Sequence, residues 1–234
     1  MVTAAPRAEA VRAMFTRIAG RYDLMNTVMT AGRHHAWRRA VARAALAAPP
    51  GPILDLATGT ADLALEIRAL DGRRFVVGAD FSDGMLRRAR AKVAARAGGG
   101  LPLLAADALA LPFPDGAFAC VTSAFLLRNL EDLPRGLAEM RRVTRPGGRV
   151  VALDIVQPAT PVWDRLFALY FHRVVPAVGA LVGRDRAAYA YLPASVARFV
   201  TPVELARLMT RAGLRDVVHR RLGLGTVALH VGIA

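Results

Sequence analysis

The residues best placed to do chemistry are two acids and a glycine turn. Residues 53–60 read ILDLATGT, and Asp80 follows twenty residues after Thr60, at the end of VVGAD. An apolar strand, a tight turn containing Gly59 and an acid after the next strand are typical of a nucleotide site. The turn lets backbone N–H groups approach a ligand, and the acid can accept hydrogen bonds from both ribose hydroxyls. A plain βαβ unit without a ligand would show the same pattern.

The glycine spacing narrows the choice of ligand. Dinucleotide and P-loop sites hold phosphates with further glycines or a lysine. Here Ala57 and Ala61 flank Gly59, and no such lysine follows. A ligand without phosphates fits better, and we expect S-adenosylmethionine, which has an adenosine, a sulfonium and an amino acid tail. Asp55 would then hold the cationic amino group directly or through water.

Two further residues are candidates for the adenine end of this ligand. Asp107 follows the third predicted strand in LLAADAL. Its carboxylate suits an exocyclic amine, and Ala108 would supply a backbone N–H. No set of His, Cys and carboxylate residues has the spacing of metal ligands, so we predict no metal. The expected cofactor site therefore comprises Asp55, Gly59, Thr60, Asp80, Asp107 and Ala108.

The elements that would position these residues alternate along the chain. Strands are predicted at 52–57, 74–79, 101–105, 118–124 and 148–155, and helices at 61–70, 83–97 and 132–144. RPGG at 145–148 is predicted to be a tight turn ahead of the fifth strand. Helices at 7–19 and 35–48 precede this core, and a helix at 202–213 and strands at 215–222 and 225–232 follow it. Such alternation predicts a parallel sheet covered on both faces.

The length of 234 residues indicates one domain. We divide it into an N-terminal helical lid (1–50), a cofactor-binding core (51–157), a helical substrate insert (158–200) and a C-terminal helix with sheet-closing strands (201–234). An apolar content of 54% excludes disorder. The apolar run near 174–183 is too short to span a bilayer, and no signal pattern is visible, so we expect a cytoplasmic protein.

The net charge of +14 raises the question of nucleic-acid binding. We discount it because Lys92 is the only lysine and the arginines are spread along the whole chain, as a codon bias would produce. Aromatic residues make up only 6% and show no stacking pattern, so no nucleic-acid partner is expected. The charge would also suit peripheral contact with the inner face of a membrane. Cys120, in FACVTSAF, is expected to be a buried, inert thiol.

Several spaced motifs resemble a known family. The first is Tyr22-Asp23-x-Met25-Asn26, followed by Met29-Thr30, His34 and Trp37. Others are residues 142–149 with the following LDIVQP, LRN at 127–129, YAYLPASV at 189–196 and GTVALHVG at 225–232. Over residues 12–232 the chain resembles the quinone-biosynthesis C-methyltransferases, which methylate demethylmenaquinol or the polyprenyl-methoxybenzoquinol precursor of ubiquinone.

The resemblance implies both a fold and an activity. The fold would be α/β, a class I S-adenosylmethionine-dependent methyltransferase with a Rossmann-like, seven-stranded, mostly parallel sheet, an N-terminal helical lid and a helical insert after the fifth strand. The activity would be C-methylation of a prenylated hydroquinone, with demethylmenaquinol favoured. The segment from Trp163 to Val182 could wrap the prenyl tail, lie against a membrane or pack on a partner subunit.

The resemblance also assigns roles to particular residues. It implies that Arg128 and Asn129 lie at the active site. We expect Arg128 to stabilise a phenolate or orient a water, since guanidinium is a poor proton acceptor. Asn129 would fix the substrate or the cofactor by hydrogen bonds. Tyr22 would lie near the methionine end of the cofactor in a lid, although a helix that simply packs on the sheet would also explain Met25 and Met29.

The chain departs from the family pattern at several positions. The family usually has glycine where Ala61 and Leu126 stand, often serine at Ala124, and glutamate at Asp154. Leu126 would add bulk beside the methyl-transfer centre, so a paralogue acting on another phenolic or polyketide acceptor stays open. Nicotinamide-dependent reduction is a further alternative, but the dinucleotide glycines are missing. The ring type, the tail length, the proton acceptor and the oligomeric state, a homodimer included, also stay open.

Overall fold

The structure, a computed structural model, describes residues 5–96, 100–158, 169–170, 173 and 185–234. Most of the insert predicted at 158–200 lies outside these residues, and so does nearly all of the segment proposed to wrap a prenyl tail. In the described part of the chain, no helix is long and apolar enough to cross a membrane.

Seven strands form one central sheet. They are β1 Ile53–Leu56, β2 Val76–Asp80, β3 Leu103–Ala105, β4 Phe118–Ala124, β5 Thr144–Ile155, β6 Arg215–Leu222 and β7 Val227–Ile233. The strand order is β3-β2-β1-β4-β5-β7-β6. The first five strands are parallel, and β7 runs antiparallel to both β5 and β6. The predicted seven-stranded, mostly parallel, Rossmann-like sheet is confirmed.

Eight helices are described around this sheet. They are α1 Ala5–Ile18, α2 Tyr22–Thr30, α3 His34–Leu46, α4 Asp62–Leu70, α5 Asp83–Ala94, α6 Leu133–Val143, α7 Arg186–Ala197 and α8 Pro202–Arg211. The side chains of Ser82, Asp132 and Thr201 cap α5, α6 and α8 by accepting a backbone N–H three residues later. These bounds lie close to the predicted ones because both the capping residues and the apolar periodicity can be recognised in the sequence.

Apolar side chains cover both faces of the sheet. One buried cluster includes Val41 of α3 and Ile67 of α4, and the other includes Leu137 of α6 and Leu205 of α8. Cys120 is fully buried and its pKa is raised to about 12 by burial, which confirms the expected inert thiol. β1 and β4 are neighbours although they are not consecutive, and this switch point is where ligands bind in open α/β sheets.

The predicted tight turn at 145–148 is wrong. β5 already begins at Thr144, which pairs with Phe118 of β4, and the register of the two strands then shifts. Gly147 donates its N–H to the carbonyl of Ala234 at 2.8 Å. Its φ of 76° is a left-handed conformation that glycine adopts without steric cost. Pro-Gly-Gly therefore forms an irregular part of a strand instead of a turn ahead of it.

Candidate functional site

The loop between β1 and α4 has an unusual backbone. Ala57, Gly59 and Ala61 have φ angles of 56°, 58° and 68°. This left-handed conformation costs an alanine roughly 1–2 kcal/mol and a glycine little. Helix α4 begins after Ala61 without a capping side chain. The N–H groups of its first turn are directed at the carboxyl edge of the sheet. We call residues 57–61 the donor loop.

Asp55 lies under the donor loop and is 1% exposed. Its carboxylate accepts hydrogen bonds from the hydroxyls of Thr58 at 2.7 Å and Thr122 at 3.0 Å, and from the N–H of Ala64. Burial nonetheless raises the pKa of Asp55 to about 6, because these bonds offset only part of the lost hydration. Because ionising Asp55 is costly, a cationic ligand group beside it would stabilise the ionised form.

Asp80 ends β2 and is 5% exposed. Its Oδ2 accepts the N–H of Gly59 and its Oδ1 accepts the N–H of Ser82, both at 2.8 Å. Burial raises the pKa of Asp80, although these backbone bonds counteract the increase. A third backbone N–H, that of Phe81, also bonds this carboxylate. Asp80 therefore holds the donor loop in place, and its predicted role as an acceptor for ribose hydroxyls stays a prediction.

Asp107 and Ala108 follow β3, which is the neighbour of β2 at one edge of the sheet. Asp107 is exposed and accepts the N–H of Leu109 at 2.9 Å through Oδ1, while Ala108 is buried. Neither residue lines the two cavities described below, and neither does Asp80. The predicted roles of Asp107 and Ala108 at an adenine therefore stay predictions.

Two cavities lie at the carboxyl ends of β1 and β4. The smaller one, of about 40 Å³, is the more polar of the two, and its lining residues include Asp55, Gly59, Thr60, Asp62 and Arg38. The larger one, of about 230 Å³, is mainly apolar. Tyr22, Asn26 and Phe125 line both cavities, so the two spaces meet at these residues. We call the smaller space the donor cavity and the larger one the acceptor cavity.

Helix α2 forms one wall of the acceptor cavity. Tyr22, Met25, Asn26 and Met29 all line it, as their helical spacing predicted. A side chain at Gly59 would approach the Tyr22 ring at 4.0 Å, so Tyr22 lies directly over the donor loop. Burial raises the pKa of Tyr22, even though Asn26 bonds its hydroxyl, and the phenol therefore stays protonated.

A polar network ties α2 to the donor loop. Lys92 Nζ lies 2.5 Å from Asp23 Oδ2, 2.9 Å from Thr60 Oγ1 and 2.6 Å from Asp62 Oδ1. The hydroxyl of Thr60 donates to Asp23 Oδ1 at 2.7 Å. Arg38 Nη1 lies 2.9 Å from Asp62 Oδ2. Three helices, α2, α4 and α5, and the donor loop thus meet at one half-buried ammonium group, and α3 joins them through Arg38 and Asp62.

Arg128 lines the acceptor cavity and forms a buried ion pair. Its Nη1 donates to Asp154 Oδ1 at 2.6 Å and to the carbonyl of Phe125 at 2.8 Å. The two side chains are 7% and 1% exposed. Nε of Arg128 is buried and has no hydrogen-bond partner among the described residues. A buried N–H donor without a partner is costly, which suits it to an oxygen of a bound ligand.

Asn129 lies in the same turn but does not line either cavity. Its Nδ2 donates to the carbonyl of Phe125 at 3.0 Å, and its Oδ1 accepts the hydroxyl of Tyr191 at 3.2 Å. Direct contact of Asn129 with substrate or cofactor therefore stays a prediction. Leu126, expected to add bulk at the methyl-transfer centre, packs instead in the core beside Leu127. That expectation is wrong, because the preceding residue turns the chain.

Phe125 is the residue that makes this turn. Its φ of 66° is a rare conformation for a bulky side chain. The N–H of Phe125 donates to the carbonyl of Leu153 at 2.7 Å, and its own carbonyl accepts from Arg128 and Asn129. These three bonds hold the strained backbone, and the ring of Phe125 consequently faces both cavities.

A family model for the ubiE/COQ5 methyltransferase family matches residues 3–234. The chain belongs to this family. Membership confirms the resemblance that the N-terminal, LRN and Pro-Gly-Gly motifs indicated. In this chain, Tyr22 lies at the junction between the cavities, the donor loop lies on one side of it, and Arg128 lies on the other.

Among curated relatives, the chain is 46% identical to a demethylmenaquinone methyltransferase of Thermus thermophilus, over 94% of this chain and 99% of that protein. It is 44% identical to one of Deinococcus radiodurans, over 97% and 93%. It is also 43% identical to a ubiquinone/menaquinone biosynthesis C-methyltransferase UbiE of Desulfotalea psychrophila, over 95% and 89%.

Solved structures share the fold at low sequence identity. A SAM-dependent methyltransferase of Thermotoga maritima, titled a possible histamine N-methyltransferase, has a TM-score of 0.65 at 17% identity, over 94% of this chain and 98% of that one. A phosphoethanolamine N-methyltransferase 2 of Haemonchus contortus, in complex with S-adenosyl-L-methionine, has a TM-score of 0.57 at 13% identity, over 80% and 49%.

Sequence reasoning did not single out several residues that shape the site. Phe125 has no local signal, because its backbone conformation depends on Leu153. Thr122 likewise reaches Asp55 only through the pairing of β1 with β4. Lys92 did carry a signal, since it is the only lysine among 32 basic residues. A single lysine among so many arginines indicates that position 92 needs a compact ammonium group.

Proposed function

We propose that the protein transfers the methyl group of S-adenosylmethionine to a ring carbon of a prenylated hydroquinone, with demethylmenaquinol as the favoured acceptor. The observation that carries this proposal is the meeting of a polar and an apolar cavity at Tyr22, Asn26 and Phe125. Relatives at 44–46% identity that are named demethylmenaquinone methyltransferases support the naphthoquinol ring over the benzoquinol ring.

The donor cavity and the neighbouring carboxyl ends of β2 and β3 suit the cofactor by the chemistry of their side chains. Asp55 would hold the amino group, and the donor loop at Gly59 and Thr60 would lie against the amino acid tail. Asp80 would accept the ribose hydroxyls, and Asp107 and Ala108 would bind the adenine. When bound, the cofactor supplies an electrophilic methyl group on a sulfonium. The protein then needs chiefly to position the two reactants and to exclude water.

Arg128 would act on the acceptor. The residue lines the acceptor cavity, and its buried Nε–H has no hydrogen-bond partner among the described residues. An acceptor hydroxyl placed there would gain a charge-assisted hydrogen bond, which stabilises phenolate character and raises electron density on the ring. Asp154 fixes the guanidinium from behind. Asn129 would act through Phe125 and Tyr191, whose positions its amide sets.

The acceptor cavity has a size that suits a ring better than a tail. An apolar cavity of about 150 Å³ accepts benzene. One of about 230 Å³ therefore takes a substituted or bicyclic ring, and a long prenyl tail must extend beyond it. We propose that the segment from Trp163 to Val182 covers this tail, with peripheral membrane contact where such substrates reside. We also propose that the protein forms a homodimer.

The decisive experiment incubates the purified protein with methyl-labelled S-adenosylmethionine and a quinol extract that lacks the ring methyl group. Mass analysis should find the label on the ring carbon of a prenylated naphthohydroquinone. Label on a benzohydroquinone or another phenol would change the acceptor but keep the reaction class. Calorimetry that detects no cofactor binding by folded protein would overturn the proposal. Arg128→Met should bind the cofactor normally and lose methyl transfer.

A further inference from the structure

The acceptor cavity is lined by one side chain that has a basic nitrogen and is uncharged at neutral pH. Its ionisable lining residues, among those described, are Tyr22, Arg33, His34, Arg128, Tyr170 and Tyr191. Arginine stays protonated in proteins, and tyrosine ordinarily holds its proton up to about pH 10. No carboxylate of the described residues lines this cavity. His34, which is 2% exposed, is therefore the remaining candidate for a base.

The hydrogen bonds of Thr30 determine which nitrogen of His34 carries the proton. Thr30 has one hydroxyl hydrogen, and the carbonyl of Asn26, 2.7 Å away, can only accept it. We therefore assign His34 Nδ1, 2.8 Å from the same hydroxyl oxygen, as the donor in that contact. The neutral ring consequently has its hydrogen on Nδ1 and a lone pair on Nε2. Within the described residues, Nε2 has no hydrogen-bond partner.

We infer that His34 is the catalytic base which, through Nε2, removes the ring proton from the acceptor after methyl transfer. This role rests on the proposed function. The ring carbon forms a bond to the methyl group as the bond between methyl and sulfur breaks, and sulfur keeps that electron pair. The carbon then carries both methyl and hydrogen. Its C–H bond breaks, the electrons restore the aromatic ring, and the proton moves to Nε2 and later to solvent.

The position of His34 agrees with this role. Arg38, one helical turn further along α3, lines the donor cavity, so His34 lies close to where the two cavities meet. Arg128 lines the same acceptor cavity and stays charged. The two residues would thus divide the work, with Arg128 stabilising oxygen charge and His34 accepting the carbon-bound proton.

A weak base is sufficient for this step. Burial, together with the neighbouring Arg38 and His35, lowers the pKa of His34 to about 4, although Asp62 and Asp23 partly oppose this shift. When the acceptor hydroxyl is hydrogen-bonded but still carries its hydrogen, methyl transfer leaves a cationic ring, which is a far stronger acid than imidazolium. Proton transfer to His34 is therefore downhill, and the low pKa keeps Nε2 unprotonated at neutral pH.

The test uses a 2-prenyl-1,4-naphthohydroquinone, with hydrogen or deuterium at the reacting ring carbon. His34→Gln keeps an acceptor oxygen but loses basicity, and it should lower kcat by roughly 100-fold. Its affinity for S-adenosylmethionine should not change. A primary deuterium isotope effect on kcat should appear in the variant and be absent in the wild-type protein, because proton loss has become the slow step. Added imidazole should restore part of the activity of His34→Ala.

The matched control is His35→Asn. The ring of His35 lies 4.0 Å from that of His34, but His35 is exposed and does not line the acceptor cavity. The kcat of this variant should therefore not change. If the His34 variants do not fold, Thr30→Val tests the same role, since it removes only the partner of Nδ1 and should show a smaller loss with the same isotope effect. Full activity of His34→Gln without an isotope effect would overturn this role alone. An absence of methylated product with the wild-type protein would overturn the proposed function as well.

Discussion

Lys92 Nζ lies 2.5 Å from Asp23 Oδ2, and this contact joins α5 to α2 where α2 passes over the donor loop. The same ammonium group donates to Thr60 and to Asp62. Burial raises the pKa of Asp62, but Arg38 and Lys92 outweigh that effect and lower it overall, so the carboxylate stays charged. Helix α2 and the donor loop are therefore held together by a cation that contacts both.

The first prediction concerns the identity of this cation. Arginine presents its donors in a planar fork, whereas the lysine here directs three hydrogens from one nitrogen at three acceptors. We expect Lys92→Arg and Lys92→Gln to weaken S-adenosylmethionine binding by about tenfold each, which is about 1.4 kcal/mol. Asp23→Asn should cause a similar loss, and combining it with Lys92→Gln should add little. Calorimetric titration of these four variants and of the wild-type protein measures the affinities.

Arg39→Gln is the matched control for this series. Arg39 also pairs with a carboxylate of α4, Glu66 at 2.9 Å, but it is exposed and far less constrained. Exposed pairs contribute roughly 0–1 kcal/mol, so donor affinity should not change. Wild-type affinity in Lys92→Arg would show that the charge alone matters and that the three-acceptor geometry does not.

The second prediction is a pH dependence of cofactor binding. Burial raises the pKa of Asp55 to about 6. The contribution of Asp55 to folding stability is therefore fully present below the pKa that this residue has in the unfolded chain, and it is lost as pH rises through about 6. Cofactor binding has the opposite dependence, because only the ionised form attracts an ammonium group. Affinity should therefore fall by up to tenfold per pH unit below about 6. Asp55→Asn should bind weakly with no such slope, and a slope that persists in this variant would assign the effect to another group.

Much of the fold could be predicted because its signals are local. β4 and β6 have the predicted bounds, Phe118–Ala124 and Arg215–Leu222. The donor loop was recognisable because Gly59 and the strand-end acids form a pattern within thirty residues or so. The Pro-Gly-Gly segment was misplaced because its pairing with the chain end at Ala234 involves residues that are far apart in sequence.

The candidate site was less predictable because its contacts are long-range. Lys92 and Asp23 are 69 residues apart, and no periodicity links them. The LRN motif drew attention to Arg128, which lines the acceptor cavity, but not to the ion pair with Asp154 or to the hydrogen bond from Asn129 to Phe125. Family motifs indicate which residues gather at a site. Which of them face the cavity depends on backbone conformations such as that of Phe125.

The third prediction compares two alanines near the donor loop. Ala61 has a left-handed backbone that favours glycine, the residue usual in the family. Ala61→Gly relieves this strain but loses a buried methyl group and ordering entropy, so the free energy of unfolding should change by less than about 1 kcal/mol. Ala64→Gly, inside α4, has no strain to relieve and should cost about 2 kcal/mol. Denaturant titration measures both values, and equal losses would contradict the left-handed conformation at Ala61.

The fourth prediction separates stability from activity at the Arg128–Asp154 pair. Asp154→Asn leaves a buried guanidinium without its counter-charge and should destabilise the protein by about 3 kcal/mol. Adding Arg128→Met removes that charge, so the double variant should be more stable than Asp154→Asn alone. It should still be inactive in methyl transfer, since no cation faces the acceptor oxygen. Glu66→Gln, at an exposed pair, should cost less than about 1 kcal/mol and keep full activity. Thermal unfolding and labelled-methyl assays of the same preparations test both properties, and an active double variant would exclude Arg128 from the chemistry.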